Sequence, residues 1–246
     1  ATEDLRAAYD LKVQALGALE LSTLQSQDAL AEALAAAGQL EQARTLHEQA
    51  LALRTHLQGP DDLVVAISHL TLAATLERQG HGSEALHHRE QAVAIRTRAE
   101  GEDAMSTVWA RLALGHSALQ RGRAQQALVL LSAAVPRLDD ADLATREGRQ
   151  ALRDLAATQL ELDDRDAAVL VAERALGRLA TIEGLAPASA APTWFVAARV
   201  LSSTEPQRAR ELACRATMAL GSVPGNDALR HRVQSWLHGA RCALDP

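Results

Sequence analysis

Aromatic side chains are scarce in this sequence of 246 residues, where they make up only 2%. A core built around large rings is therefore excluded, and the abundance of Ala, Leu, Arg, Glu and Gln favours helices that pack through small residues. The sequence also lacks the apolar run of roughly 18 residues that a membrane span needs, and it does not start with a basic and apolar signal sequence. We therefore expect an all-α protein that is soluble and cytoplasmic.

Lysine occurs once, as Lys12, and no glycine-rich loop precedes it. Because a phosphate-binding loop needs glycines followed by a lysine, nucleotide hydrolysis and kinase chemistry are excluded for this segment. The net charge is -6 with acids and bases interspersed, which leaves no basic stripe for nucleic acid. Cys214 and Cys242 are too few for a disulfide framework, and we expect both to be reduced.

Residue types that carry catalysis or bind metals do not occur at productive spacings. Gly115, His116 and Ser117 resemble the start of a nucleophile elbow, but Leu119 stands where that motif has its closing glycine. His87 and His88 are adjacent, so they point about 100° apart on a helix and do not easily serve one ion. We therefore expect a protein that is not an enzyme and that has no cofactor-binding or metal-binding residues.

A 42-residue repeat organises the chain. Residues 49–59 (QALALRTHLQG) return as residues 91–101 (QAVAIRTRAEG), and aligning the repeats reveals three columns of small residues. Two helices cross closely only where neither carries a large side chain, so such columns predict tandem helix pairs. The columns are Ala31, Ala73, Gly115, Ala156 and Ala197; Ala43, Ala85, Ala127, Ala168 and Ala209; and Ala50, Ala92, Ala134, Ala175 and Ala216.

The alignment predicts one repeat domain that spans residues 1–246. Pro136 should end or kink the second helix of the fourth unit, and the loop at 184–193 should be the most mobile segment. A last helix is predicted at about 227–243. The predicted units are a half repeat at 1–20, repeats 2 to 6 at 21–61, 62–103, 104–142, 143–185 and 186–225, and a capping helix at 226–246.

The spacing, the small columns and residues 43–66 (ARTLHEQALALRTHLQGPDDLVVA) resemble the kinesin light chain subtype of tetratricopeptide repeat. The resemblance covers nearly the whole chain and implies a right-handed α-solenoid whose concave groove is lined by the first helix of each pair. It also implies the C-terminal part of a larger bacterial signalling protein, because bacterial repeats of this kind often follow kinase or regulatory ATPase domains. The subtype usually carries paired asparagines in the first helix to hold peptide backbones, whereas the only asparagine here is Asn226.

Residues 1–16 match the second helix of a pair whose first helix is missing. Its apolar residues Leu5, Tyr9, Leu11 and Leu16 should then face water unless something covers them. We expect this half repeat to fray, to form a homodimer or to dock an upstream domain in cis.

The register of the first helices predicts the residues of a partner-binding groove. It should be acidic near repeat 2 and apolar from repeat 3 onward, which favours a partner with spaced apolar anchors and a basic end. Two interpretations of the tryptophans are open: they face the groove, or they pack between helices. The predicted groove residues are Asp28, Glu32, Leu70, Glu77, Trp109, Leu112, His116, Arg153 and Trp194.

Two functional hypotheses follow. The first is a non-catalytic interaction module that binds a peptide or a protein surface in this groove. The second is a structural spacer or oligomerisation arm without a groove ligand.

Overall fold

The computed structural model of the chain describes residues 2–221 and 225–237. These residues form thirteen α-helices, one 3-10 helix (Val135–Arg137) and no strand, which confirms the predicted all-α fold of tandem helix–turn–helix units. No helix in the described part of the chain has both the length and the apolar character that crossing a membrane requires. The helices are α1 (Thr2–Leu16), α2 (Leu21–Ala36), α3 (Leu40–Gln58), α4 (Leu63–Arg78), α5 (Gly82–Glu100), α6 (Met105–Gln120), α7 (Ala124–Ala134), α8 (Asp140–Ala144), α9 (Arg146–Glu161), α10 (Arg165–Ala180), α11 (Pro187–Leu201), α12 (Pro206–Leu220) and α13 (Asp227–Trp236).

The chain divides into two compact units, unit 1 (Ala1–Ser117) and unit 2 (Ala118–Pro246). In unit 1, α1 packs on α2, α2 on α3, α3 on α4 and α4 on α5. In unit 2, α9 packs on α10, α10 on α11 and α11 on α12. We call α2, α4, α6, α9 and α11 the first helices of their pairs, and α3, α5, α7, α10 and α12 the second helices.

The predicted small-residue columns lie where the helices of a pair cross. In unit 1, Ala31, Ala43, Ala73 and Ala85 are all 0% exposed. Ala73 and Ala85 belong to one cluster with two buried leucines of α4, on which Leu51 packs from α3. A methyl group at each crossing lets the two backbones approach, and the leucines beside it fill the remaining space.

The turns between paired helices need a left-handed backbone. Gly38 and Gly80 adopt φ values of +81° and +85°, which glycine accepts without the strain of a Cβ atom. Unit 2 has Asp163 at the corresponding turn with φ of 61°, the one positive φ outside glycine among the described residues. Before α4, Asp62 caps the helix, because its carboxylate accepts a hydrogen bond from the Val64 amide at 2.8 Å.

Two predictions concern proline in unit 2: that Pro136 ends or kinks a helix, and that residues 184–193 form a mobile loop. The second helix α7 ends at Ala134, and Pro136 lies in the 3-10 helix that follows. The prediction of a mobile loop at 184–193 is wrong, because α11 begins at Pro187 and continues through Pro192. Proline suits a first helical turn, and the burial of α11 residues such as Ala190 and Ala191 offsets the hydrogen bond that Pro192 cannot make.

Two further expectations concern the C-terminal part. Cys214 is disulfide-bonded, so the prediction of a reduced thiol is wrong for this residue, while Cys242 lies outside the described residues. Residues 238–243 of the predicted last helix also lie outside them, and α13 is described to Trp236.

Candidate partner-binding surface

One side of the first helices in unit 1 is exposed. On α4, Ile67 and Ala74 are seven residues apart and share this side, which is rotated by roughly 100 to 120° from the crossing residue Ala73. Both are exposed, and Ile67 is 46% exposed. We call this side the A-face. It consists of Gln25 and Glu32 on α2, Ile67 and Ala74 on α4, and Met105, Trp109 and His116 on α6.

The apolar part of the A-face lies on α4 and α6. Ile67 and Trp109 occupy the same repeat position one 42-residue period apart, and Met105 lies one turn before Trp109. Met105 is 40% exposed, and Trp109 is half-buried. Met105 was not among the predicted groove residues, although its spacing of four from Trp109 is the pattern that places two side chains on one face.

Asp28 belongs to an internal ion pair. The Arg54 guanidinium of α3 donates to Asp28 Oδ1 at 3.2 Å and to Oδ2 at 2.5 Å, and it also donates to Ser68 Oγ of α4 at 2.8 Å. The Arg54 side chain is only 5% exposed. Asp28 therefore neutralises a buried cation that ties three helices together, and little of its charge remains for a partner.

Glu77 has a similar role between α4, α5 and α6. Its carboxylate accepts hydrogen bonds from Arg89 Nη2 at 2.6 Å and from Ser117 Oγ at 2.5 Å. Burial alone would raise the pKa of Glu77, but the bonds from Arg89 and Ser117 outweigh it, so the pKa lies below its ordinary value. His116 is half-buried and adds to this lowering through its charge.

Leu70 and Leu112 lie against the core. Leu70 is half-buried beside the cluster that contains Val65 and Ile95, and Leu112 is only 6% exposed. The physical reason is their register: like Asp28, they precede the small crossing residue by three positions and so share the side that faces the second helix. Glu32 differs, because it follows the crossing residue and is exposed.

In unit 2, Arg153 and Trp194 occupy the same register as Leu112, with the spacing shortened to 41 residues. Arg153 is half-buried and donates to Thr193 Oγ1 at 3.4 Å, and burial lowers its pKa below the ordinary arginine value. Trp194 lines a cavity of about 310 Å³ together with residues of α10 and α12. The Arg215 guanidinium lies 5.4 Å from the Trp194 ring centroid, which is a cation–π contact.

The positions that correspond to the A-face are covered on α11. Ala191 and Ala198 are 0% exposed there, and Phe195 is 4% exposed. The Phe195 ring packs edge-on against Trp236 of α13 at a centroid distance of 6.2 Å. Within unit 2 these positions of α11 therefore belong to the core, whereas the predicted groove residue Trp194 is half-buried.

The histidines of unit 1 form a pair that the sequence did not predict. The Nδ1 atoms of His69 on α4 and His88 on α5 are 2.8 Å apart. Burial, with the nearby His88 and His87, lowers the pKa of His69 to about 4. The described residues contain no group of three or more His, Cys, Asp or Glu side chains that could hold a metal ion.

Comparisons with known proteins agree with this architecture. The tetratricopeptide repeat family matches residues 20–96 and 65–140. Among solved structures, BtubC (BKLC) from P. vanneervenii is 19% identical with a TM-score of 0.71, over 100% of this chain and 96% of that one. A putative kinesin light chain with nearly identical TPR-like repeats from Podosopora anserina is 22% identical with a TM-score of 0.67, over 80% of this chain and 95% of that one.

A thermophilic TPR protein of Thermus thermophilus is 24% identical with a TM-score of 0.52, over 87% of this chain and 99% of that one. At these identities the solved structures show a shared fold. No curated protein matched the chain.

Proposed function

We propose that this chain, whose residues 20–140 belong to the tetratricopeptide repeat family, is a non-catalytic interaction module that binds a protein or peptide partner on the A-face of unit 1. Repeats of this family generally serve protein–protein interaction, which supports the class of function. The observation that carries the specific proposal is that Ile67 and Met105 are exposed at repeat positions that share one side of the first helices with Trp109. Apolar side chains grouped on an otherwise polar surface are typical of binding hot spots.

The internal ion pairs refine the chemistry of the proposed partner. Asp28 and Glu77 are already neutralised by arginines of the same unit, so the expected attraction for a basic end depends on Glu32. Of the predicted groove residues, the proposed binding surface therefore includes Glu32, Trp109 and His116. It also includes Ile67 and Met105. A partner with two apolar anchors spaced to reach α4 and α6 fits this surface best.

A paired substitution tests the proposal. Ile67→Asp places a charge in the apolar part of the A-face, while Leu170→Asp makes the same change on α10, where Leu170 is 73% exposed. Each variant and the unchanged protein are immobilised, exposed to extract of the source cells, and analysed by quantitative mass spectrometry. We expect proteins held by the unchanged chain and by Leu170→Asp to be lost from Ile67→Asp. Equal retention by all three proteins, with helix content unchanged, would contradict the proposal.

The oligomerisation arm remains a second candidate because of α1. None of its residues is buried, and Leu11 and Leu16 are 66% and 55% exposed. Leu5 and Tyr9, in contrast, pack on the cluster formed by α2 and α3. Sedimentation velocity at several concentrations would reveal a homodimer, and Leu11→Glu should abolish it if α1 is the interface. A docked upstream domain and a signalling context remain predictions that the sequence of the full gene product would test.

A further inference from the structure

Unit 2 contains a partly enclosed cavity between three of its helices. The cavity has a volume of about 310 Å³, at the lower end of the range of ligand pockets in proteins, so its size suits a small molecule. We call it the Trp194 pocket. Its apolar lining residues are Leu176, Leu179 and Ala180 of α10, Trp194 of α11 and Leu212 of α12.

Three charged side chains of α12 complete the lining of the pocket: Arg208, Glu211 and Arg215. The Arg208 guanidinium is already neutralised within unit 2. It donates to the two carboxylate oxygens of Glu173 at 2.6 Å and 2.9 Å, and to Glu205 Oε2 at 3.2 Å. The charges that a ligand can use are therefore those of Glu211 and Arg215.

Glu211 and Arg215 stay apart although their spacing favours a pair. A glutamate four residues before a basic residue on a helix commonly forms an ion pair. Among the described residues, however, neither Glu211 nor Arg215 has an ion-pair partner, and both are exposed. The Arg215 guanidinium instead lies 5.4 Å from the centroid of the Trp194 ring. This cation–π contact holds the positive charge beside the apolar wall, and the negative charge of Glu211 lies about one turn away on α12.

These features together define the chemistry of a ligand. The leucines and the Trp194 ring favour an apolar group. Arg215 favours a carboxylate, because a guanidinium group donates two parallel hydrogen bonds to it, and Glu211 favours a cation. Residues four apart on a helix have Cβ atoms about 5 to 6 Å apart, so two neighbouring charged groups of one small molecule can reach both side chains. A free amino acid with a large apolar side chain carries all three groups.

We propose that the Trp194 pocket binds a free amino acid with a large apolar side chain. The carboxylate of the ligand pairs with Arg215, and its ammonium group pairs with Glu211. The side chain of the ligand packs among Leu176, Leu212 and the Trp194 ring. All of these residues lie in unit 2, so the proposal does not depend on the function assigned to the A-face of unit 1.

The probe is L-leucine, and two analogues each lack one of its charges. 4-Methylpentanoate lacks the ammonium group, and isopentylamine lacks the carboxylate. Binding to the full chain is followed by the indole N–H signals of the three tryptophans in two-dimensional NMR, and Trp194→Phe assigns the signal of the pocket. We expect a saturable shift of the Trp194 signal with L-leucine, while the signal of Trp109 in unit 1 stays in place. Each analogue should bind about tenfold more weakly, the loss typical of one charge-assisted hydrogen bond.

Two variants assign the charged groups of the ligand to their partners. Arg215→Gln should weaken the binding of L-leucine and of 4-methylpentanoate by about tenfold and leave isopentylamine unchanged. Glu211→Gln should weaken the binding of L-leucine and of isopentylamine by a similar factor and leave 4-methylpentanoate unchanged. Arg210→Gln removes a charge from an exposed site of α12 outside the lining of the pocket and should change none of the three affinities.

Four outcomes would overturn the proposal. The first is a Trp194 signal that does not move with L-leucine, and the second is equal binding of L-leucine and its two analogues. The third is a loss in Arg210→Gln as large as in the other two variants. The fourth is a uniform loss of all three ligands in both Arg215→Gln and Glu211→Gln, because the proposed pairing requires each variant to act on one end of the ligand only.

Discussion

Replacing Ala73 by leucine tests the packing of the helix pairs. Ala73 is 0% exposed and lies in one cluster with Ala85, which is also 0% exposed. Because Ala73 is fully buried and clusters with Ala85 of α5, a larger side chain at this position has to displace its neighbours. Overpacking of this kind costs about 1 to 3 kcal/mol, and leucine has nearly the helix propensity of alanine, so packing alone decides the result.

The neighbouring residue provides the control for this experiment. Ala74→Leu makes the same change one position later on α4, where the side chain is exposed, and it should alter the free energy of unfolding by less than about 0.5 kcal/mol. Urea unfolding followed by circular dichroism measures both variants. Unchanged stability of Ala73→Leu, or equal effects of the two substitutions, would refute the assignment of Ala73 to the helix crossing.

Three further predictions concern internal interactions. Asp28→Ala should cost about 2 kcal/mol, because it removes the carboxylate partner of the buried Arg54 guanidinium. Burial and the nearby His88 and His87 lower the pKa of His69 from 6.5 to about 4. Between these two pH values His69 is neutral in the folded chain and protonated in the unfolded chain, so unfolding takes up a proton. Stability should therefore fall as the pH drops from 6.5 to 4, by at most about 1.4 kcal/mol per pH unit for this group. Gly148→Ala should destabilise α9 by about 1 to 3 kcal/mol, since the new Cβ would lie 2.1 Å from a backbone carbonyl oxygen of α8.

Each of these predictions has a control in the same chain. Glu32→Ala removes an exposed carboxylate from the same helix as Asp28 and should be nearly neutral. His69→Gln should flatten the dependence of stability on pH, whereas His56→Gln at an exposed site of α3 should not. Gly177→Ala adds a Cβ with nothing within 4 Å and should stabilise α10, because alanine is the better helix former. If a control changes stability as much as its test variant does, the physical reason given for that variant is wrong.

The helix pairs could be predicted from the sequence because their requirement is local. A close crossing needs a small residue on both helices. The aligned small residues, such as Ala31 and Ala73, mark the crossing positions directly in the sequence. The glycine turns are equally local, since a left-handed backbone excludes most other residues. The alignment also shows that Asp163 replaces the glycine at one of these turns in unit 2.

The candidate surface was harder to predict because it depends on partners distant in the sequence. From its position in the repeat, Asp28 is predicted to be an acidic residue of the groove. In the structure it binds Arg54, which lies 26 residues later in the chain. Leu112 and Trp194 share their register with Asp28: Leu112 is buried, and the Trp194 ring is contacted by the Arg215 guanidinium. The covered face of α11 required knowledge that Trp236 of α13 packs on Phe195, and neither periodicity nor composition contains that pairing.

The most direct test of the A-face uses a photo-crosslinking residue and needs no known partner. A benzophenone amino acid is placed at position 67 on the A-face, or at position 170 on α10, and the cells that express each protein are irradiated. We predict discrete crosslinked adducts with other proteins from position 67 and none from position 170, although Leu170 is the more exposed of the two residues. Adducts of equal yield from both positions, or from position 170 alone, would contradict it.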